Sequence, residues 1–307
     1  AAFSSAIPFD RRNHDSTMSL NGPWKFLLAE NAQTPLLSDF FRTDYNDDKW
    51  SPIAVPSNWE IQGFEEPHYY RPDPSKVGLY RKEVTLPKTW NNRQIMVHFE
   101  GVSFAYTLYV NGEKAGSFQH AFLPCQFDIT PYIHYDKKNI LALKVYRDHE
   151  ERDFDCNDAW ALSGIYRDVY LFSPERYHID RYSLTTRVDP AKQAAVIEGQ
   201  IEIRLFRHNH GSQHLDHREL LKPLAIKFVL TDADGRILTD RTETVAWVTP
   251  RVVPSHAFKI PISNAHYWNA EQPYLYDLSI TLLTEGRVSH VVKQKVGLRE
   301  VAIEEGV

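Results

Sequence analysis

The chain has 307 residues, 42% of them hydrophobic, which is enough for ordinary globular cores and longer than a single all-β core usually extends, so two domains are expected. Its formal net charge of −5 supplies no basic field of the kind nucleic acid or an anionic membrane requires. No apolar run approaches the ~18 residues of a membrane span, and the start, Ala1-Ala2-Phe3, has neither a methionine nor a signal-peptide pattern. The chain therefore reads as processed or as a piece of something longer, and nothing in it identifies a compartment.

In chain order, residues 1–19 are polar and aperiodic and read as an irregular lead-in. Asn21-Gly22-Pro23 then makes a turn into alternating apolar positions from Trp24, the start of a strand. Residues 31–50 read as loop. Val55-Pro56-Ser57-Asn58-Trp59 returns the chain to the core, its proline marking an edge or corner. Residues 60–78, with three prolines and two glycines, read as a long exposed loop, a feature that on β scaffolds usually serves function.

From Leu79 the period becomes two, with strands expected near 80–86, 94–99, 106–110, 125–129, 140–146 and 169–172. Asn111-Gly112 between two such runs is a strong type I′ hairpin signal. Short strands with mixed hairpins and longer crossings suggest a two-sheet jelly roll over residues 1–174. Residues 175–299 give seven further strand patterns, near 177–187, 195–207, 224–231, 237–244, 256–262, 274–284 and 287–295, with hairpin turns at Asp232-Ala233-Asp234-Gly235 and Thr284-Glu285-Gly286. They fit an immunoglobulin- or fibronectin-like β-sandwich without a cysteine pair. The fold class is thus all-β, two sandwiches in tandem, and residues 300–307 read as the start of something else.

Several residue groups are candidates for chemistry. The 7 Trp, 16 Tyr and 16 Phe are expected mostly in the core, with any exposed remainder available to stack on sugar rings. Cys125 reads as a buried small hydrophobe, and a bridge to Cys156, the other cysteine, is the one pairing available. The acidic stretch Glu150-Glu151-Arg152-Asp153-Phe154-Asp155-Cys156-Asn157-Asp158 could supply a carboxylate pair for glycoside hydrolysis but reads better as a solvated loop. Asp158 stands apart, because Trp160 and the Ser163-Gly164 turn are expected to fix it. A held carboxylate there suits sugar hydroxyls or a hard cation better than proton transfer. His208, His210, His214 and His217, beside Asp216, could form a zinc pair on a strand, yet residues 209–218 read as a solvated insertion. Arg167-Asp168 reads as an ion pair or turn closure. No Gly-rich phosphate loop and no Gly-x-Ser-x-Gly elbow is present.

The segment Asp158-Ala159-Trp160-Ala161-Leu162-Ser163-Gly164-Ile165-Tyr166-Arg167-Asp168-Val169 resembles the D-x-W-x-x-S-G-I-(Y/F)-R-D-V signature of the first domain of glycoside hydrolase family 2, in its β-galactosidase branch. Other pieces resemble the family in the same order: Ser19-Leu20-Asn21-Gly22-Pro23-Trp24, Val55-Pro56-Ser57-Asn58-Trp59, Gly78-Leu79-Tyr80-Arg81, Phe99-Glu100-Gly101-Val102-Ser103, Val110-Asn111-Gly112, Trp268-Asn269-Ala270-Glu271-Gln272-Pro273-Tyr274 and Val296-Gly297-Leu298-Arg299-Glu300.

The resemblance implies a sugar-binding jelly roll, an immunoglobulin-like domain and then a catalytic (β/α)₈ barrel of ~250 residues, for which residues 300–307 would be only the beginning. The two catalytic glutamates of such a retaining exo-β-galactosidase would lie in that barrel, leaving this chain with no catalytic residue and no cofactor of its own. Asp158 would reach toward the barrel's site, binding terminal β-galactosides and a monovalent cation, usually sodium, with magnesium a further candidate for the full-length enzyme. The family's Pro-x-Tyr-x-Asn is Pro67-His68-Tyr69-Tyr70-Arg71 here, so Arg71 stands where a sugar-contacting Asn is expected and could favour an acidic sugar. Other expectations stay open: a free-standing carbohydrate-binding module with a sandwich spacer, a family 2 enzyme for another sugar (β-glucuronidase or β-mannosidase), or a structural pair supporting a homo-oligomer.

Overall fold

The computed structural model describes residues 4–6 as backbone strand, and residues 16–31, 38–69, 73–147, 158–205, 222–245 and 255–302. Among them β-strands predominate, joined by short 3-10 turns and no α-helix. The chain divides into two compact units, residues 12–173 and residues 174–307 together with 1–11.

After β1 (Ser4–Ala6), the strands of the 12–173 unit are β2 (Thr17–Ser19), β3 (Gly22–Ala29), β4 (Ser51–Val55), β5 (Val77–Thr85), β6 (Met96–Phe99), β7 (Val102–Ser103), β8 (Ala105–Val110), β9 (Glu113–Phe118), β10 (Cys125–Asp128), β11 (Lys138–Tyr146), β12 (Gly164–Ile165) and β13 (Val169–Phe172). They form an antiparallel sheet in the order β4-β3-β5-β11-β8-β9, a second in the order β10-β6-β13-β2, and the short pair β12-β7. The two larger sheets share one core, to which Trp24, Tyr80 and Leu143 contribute from one side and Val97, Phe99 and Leu171 from the other. This is the jelly-roll layering that the period-two patterns imply. Asn111 and Gly112 both take positive φ, 51° and 92°, and Val110 pairs with Glu113 across them, as a two-residue hairpin requires. Proline-bearing β4 lies at a sheet edge, where a missing N–H costs no ladder bond.

The larger sheet is buried on both faces. Successive β5 side chains point to opposite sides, so Tyr80 and Val84 enter the inter-sheet core, while Val77 and Leu79 meet Phe40 and Trp50 on the outer face. Residues 38–50, read from the sequence as plain loop, are that outer cover. Buried Arg81 fastens it: its Nε lies 2.8 Å from Asp47, and its Nη1 donates to the carbonyls of Phe40 and Arg42. Burial alone would raise the Asp47 carboxyl, but hydrogen bonds from Lys25 and Arg81 outweigh it and hold it below the ordinary carboxylate range.

The second unit continues with β14 (Tyr177–Asp189), β15 (Ala194–Leu205), β16 (Leu224–Thr231), β17 (Ile237–Val245), β18 (Ser255–Ser263), β19 (Tyr276–Thr284) and β20 (Arg287–Val296). Two antiparallel sheets, β1-β14-β15-β18 and β17-β16-β19-β20, make the sandwich. Leu224, Ile226, Phe228 and Leu230 alternate inward from β16, and the Phe228 ring packs 4.6 Å from that of Phe258 on the other sheet. Both expected hairpin turns form, with Gly235 at φ 81° and Glu285-Gly286 at 51° and 76°. One departure is at the N-terminus. The supposed irregular lead-in contains β1, which pairs with β14, Ser5 opposite Ser183, so its sheet partner lies far along the sequence in the second unit.

Candidate functional site

Asp158 is exposed and takes a left-handed backbone, φ 53°, a conformation that Asp and Asn tolerate better than most side chains. Its carboxylate accepts a hydrogen bond from the Tyr69 hydroxyl. That bond raises the Tyr69 phenol above its ordinary pKa, since a proton shared with a carboxylate is harder to remove. Tyr69 is tied to the same segment twice more. It forms an isolated antiparallel bridge with Trp160, and its ring meets the indole edge-on at 5.7 Å. The Ala161 N–H donates to the His68 carbonyl at 3.0 Å.

Trp160 holds Tyr69 from the surface: it is 59% exposed and Tyr69 is 54% exposed. Alternation explains this: Ala161 and Ser163 point inward and are fully buried, Ala161 in a small cluster with Phe104 and Ala121. The two exposed rings next to Asp158 instead offer flat apolar faces beside a fixed carboxylate.

Below Asp158 the segment is fixed by pieces that stood far apart in the sequence. The Ser163 carbonyl accepts from Trp59 N at 3.0 Å, the Ile165 carbonyl from Ser57 N at 2.8 Å, and Asn58 Nδ2 reaches Ser163 O at 3.3 Å. Gly164 takes φ 118°, and a Cβ there would meet the Tyr80 hydroxyl at 2.7 Å and the Ser57 carbonyl at 3.1 Å, so glycine is required twice over. Gly164 and Ile165 pair with Ser103 and Val102. Asn21 closes the far end, its Nδ2 donating to Asp168 Oδ1 at 3.0 Å while its Oδ1 accepts from Val169 N at 3.0 Å. Asp168 is thereby a turn closure. Arg167 donates to the Phe122 carbonyl and lies over the Tyr166 ring.

Other candidates fare differently. Arg71, residues 148–157 with Cys156, and the histidines 208–217 lie outside the described residues. Cys125 is a free thiol, half-buried against the core, and burial pushes its pKa up. Two further residues matter whose roles the sequence does not reveal: Tyr69, in the run 67–71, bonds Asp158, and Glu60, in what reads as an exposed loop, is buried with its carboxylate on Ser163 N and Arg147.

Sequence profiles decide the family. One described as "Glycosyl hydrolases family 2, sugar binding domain" matches residues 17–174, and one described as "Glycosyl hydrolases family 2" matches residues 177–299. The chain belongs to glycosyl hydrolase family 2. This family 2 chain is 33% identical over 310 residues to a beta-galactosidase of Vibrio cholerae, covering 94% of itself and 28% of that protein. It is 30% identical over 320 residues to one of Priestia megaterium, covering 98% of itself and 30% of that protein. It therefore spans about 30% of the length of the curated relatives it matches. Among solved structures, a Bacteroides uniformis beta-glucuronidase superposes with a TM-score of 0.75 at 24% identity, over 92% of this chain and 32% of the other. A family 2 member from Bacteroides cellulosilyticus gives 0.74 at 18%, over 94% and 37%. At these identities the structural likeness speaks for the fold alone.

Proposed function

We propose that this chain is the non-catalytic N-terminal part of a retaining exo-β-galactosidase, and that it supplies one wall of a site whose reacting groups lie on a separate (β/α)₈ barrel. The observation that carries this reading is the exposed Asp158 carboxylate, held by the Tyr69 hydroxyl in a domain of the family's sugar-binding type. Curated relatives named beta-galactosidase, three times longer, support the choice of terminal β-galactosides.

Asp158 accepts hydrogen bonds from sugar hydroxyls, and its oxygens are hard donors suited to sodium, or to magnesium. Asp158 provides part of a coordination shell, with the other donors coming from sugar, water or the barrel. The exposed Tyr69 and Trp160 rings beside it suit the C–H faces of a pyranose. A cation bound there would supply positive charge to orient galactosyl hydroxyls.

Arg71, in the place of the family's usual Asn, favours a second reading in which the sugar is acidic, because a guanidinium pairs with a carboxylate in a bidentate way. Nitrophenyl β-galactoside, β-galacturonide and β-glucuronide, assayed side by side with the longer parent enzyme, separate the two. The first reading expects the galactoside to be preferred, and preference for a uronide overturns it. The 307-residue chain by itself is expected to hydrolyse none of them.

A further inference from the structure

Five residues along the chain from Asp158, at Ser163, the fold meets a buried charged cluster. The side chains of Glu60 and Arg147 are both fully buried, with Arg147 Nη2 2.6 Å from Glu60 Oε1. The second oxygen of Glu60 accepts from the backbone N–H of Ser163 at 2.9 Å, and Arg147 Nε donates to Ser163 Oγ at 3.2 Å. The guanidinium also lies over the Trp59 ring, 5.3 Å from its centroid, and 3.6 Å from Glu65.

The positions of these residues in the chain give the cluster its meaning. Arg147 directly follows β11, and Ser163 directly precedes β12. They stand 16 positions apart, and Asp158 lies between them. A single carboxylate therefore joins the point where the chain leaves one strand to the point where it reaches the next. Taking both charges out of water is costly, and well-packed apolar residues would give equal or greater stability. An arrangement with that cost, closed on the Ser163 N–H, fits geometric control of the stretch 158–163 that carries Asp158.

We propose that Glu60 is a positioning residue for Asp158, acting through Ser163, which closes the stretch 158–163 that presents the Asp158 carboxylate, while Arg147 holds Glu60 in place. Its use in the enzyme rests on the reading of Asp158 as a ligand-binding group, but the positioning itself is tested without any ligand.

Tyr69 is the reporter, because its hydroxyl bonds Asp158. In the 307-residue chain labelled with ¹³Cζ-tyrosine, Tyr69→Phe assigns the resonance, and Asp158→Ala defines its position when the acceptor is lost. Glu60→Gln is expected to move the Tyr69 resonance most of the way to the Asp158→Ala position. Should the buried guanidinium, left with Glu65 as its charged neighbour, prevent that variant from folding, Glu60→Leu/Arg147→Met removes both charges together. It is expected to melt within a few degrees of the parent chain and yet show the same displaced Tyr69 resonance. A Tyr69 resonance unchanged in either folded variant overturns the proposal. In the parent enzyme, Glu60→Gln is expected to raise the sodium requirement and KM several-fold, and to add nothing once Asp158 is Asn. If Asp158→Asn leaves sugar and sodium responses untouched while the Tyr69 displacement occurs, the positioning stands and the sugar-site reading falls.

Discussion

The Tyr69 hydroxyl donates to the Asp158 carboxylate across 89 positions of sequence, and this is the bond that ties the carboxylate itself to the neighbouring loop. Tyr69→Phe removes the bond and keeps the ring against Trp160. Because both residues are exposed, water replaces the lost partner, and stability should change by less than about 0.5 kcal/mol. The effect belongs to function: in the parent enzyme the sodium concentration for half-maximal activity should rise several-fold, a change of about 1 kcal/mol. Denaturation midpoints and a sodium titration check the two parts. A large fall in stability with no change in sodium response would reverse the assignment.

Gly164→Ala probes the turn below. The new methyl group meets both a disfavoured φ of 118° and the Tyr80 hydroxyl, so the first unit should lose about 1–3 kcal/mol for the backbone alone, and more for the clash. Urea unfolding followed through the tryptophans reads it. A change below about 0.5 kcal/mol would mean that the Ser163-Gly164 turn is not a fixed point.

Acid should weaken the second unit for a different reason. Burial lowers His178 to about 4, and burial, with His178 nearby, lowers His290 to about 4. His290 Nδ1 accepts from Ile179 N at 3.1 Å, which needs a neutral ring. The unfolded chain binds protons at these sites near pH 6.5, ahead of the folded one, so their contribution to stability is complete above that pH and declines as pH falls toward 4. Urea midpoints at pH 7, 5.5 and 4.5 should decrease in that order, and His178→Gln should flatten the trend. Equal slopes for the two proteins would remove His178 from the account.

Much of this architecture was legible because its forces are local. On β16 and β19 inward and outward residues alternate, and Asn111-Gly112 and Glu285-Gly286 carry the φ values that their hairpins need. The missed features depend on partners distant in sequence. Ser4–Ala6 is three small residues whose strand partner lies in β14. Glu60 sits among prolines and glycines, where a carboxylate reads as solvated until Arg147 and Ser163 are placed over it. Trp160 lies on the surface because its small neighbours Ala161 and Ser163 are the ones that turn inward. One signal was available and unused: Val77-Gly78-Leu79-Tyr80 has no polar position, the mark of a strand covered on both faces, and it foretold a cover such as residues 38–50.

The most direct test is Asp158→Asn in the longer parent enzyme, with a chromogenic β-galactoside as substrate. The amide keeps the size of the side chain and an acceptor for Tyr69 but removes the charge that sugar hydroxyls and sodium would share. We predict a fall in kcat/KM on the order of 100-fold or more and loss of the response to sodium, with the folded state intact. Unchanged kcat/KM with an undiminished sodium response would contradict the assignment of Asp158 to the site.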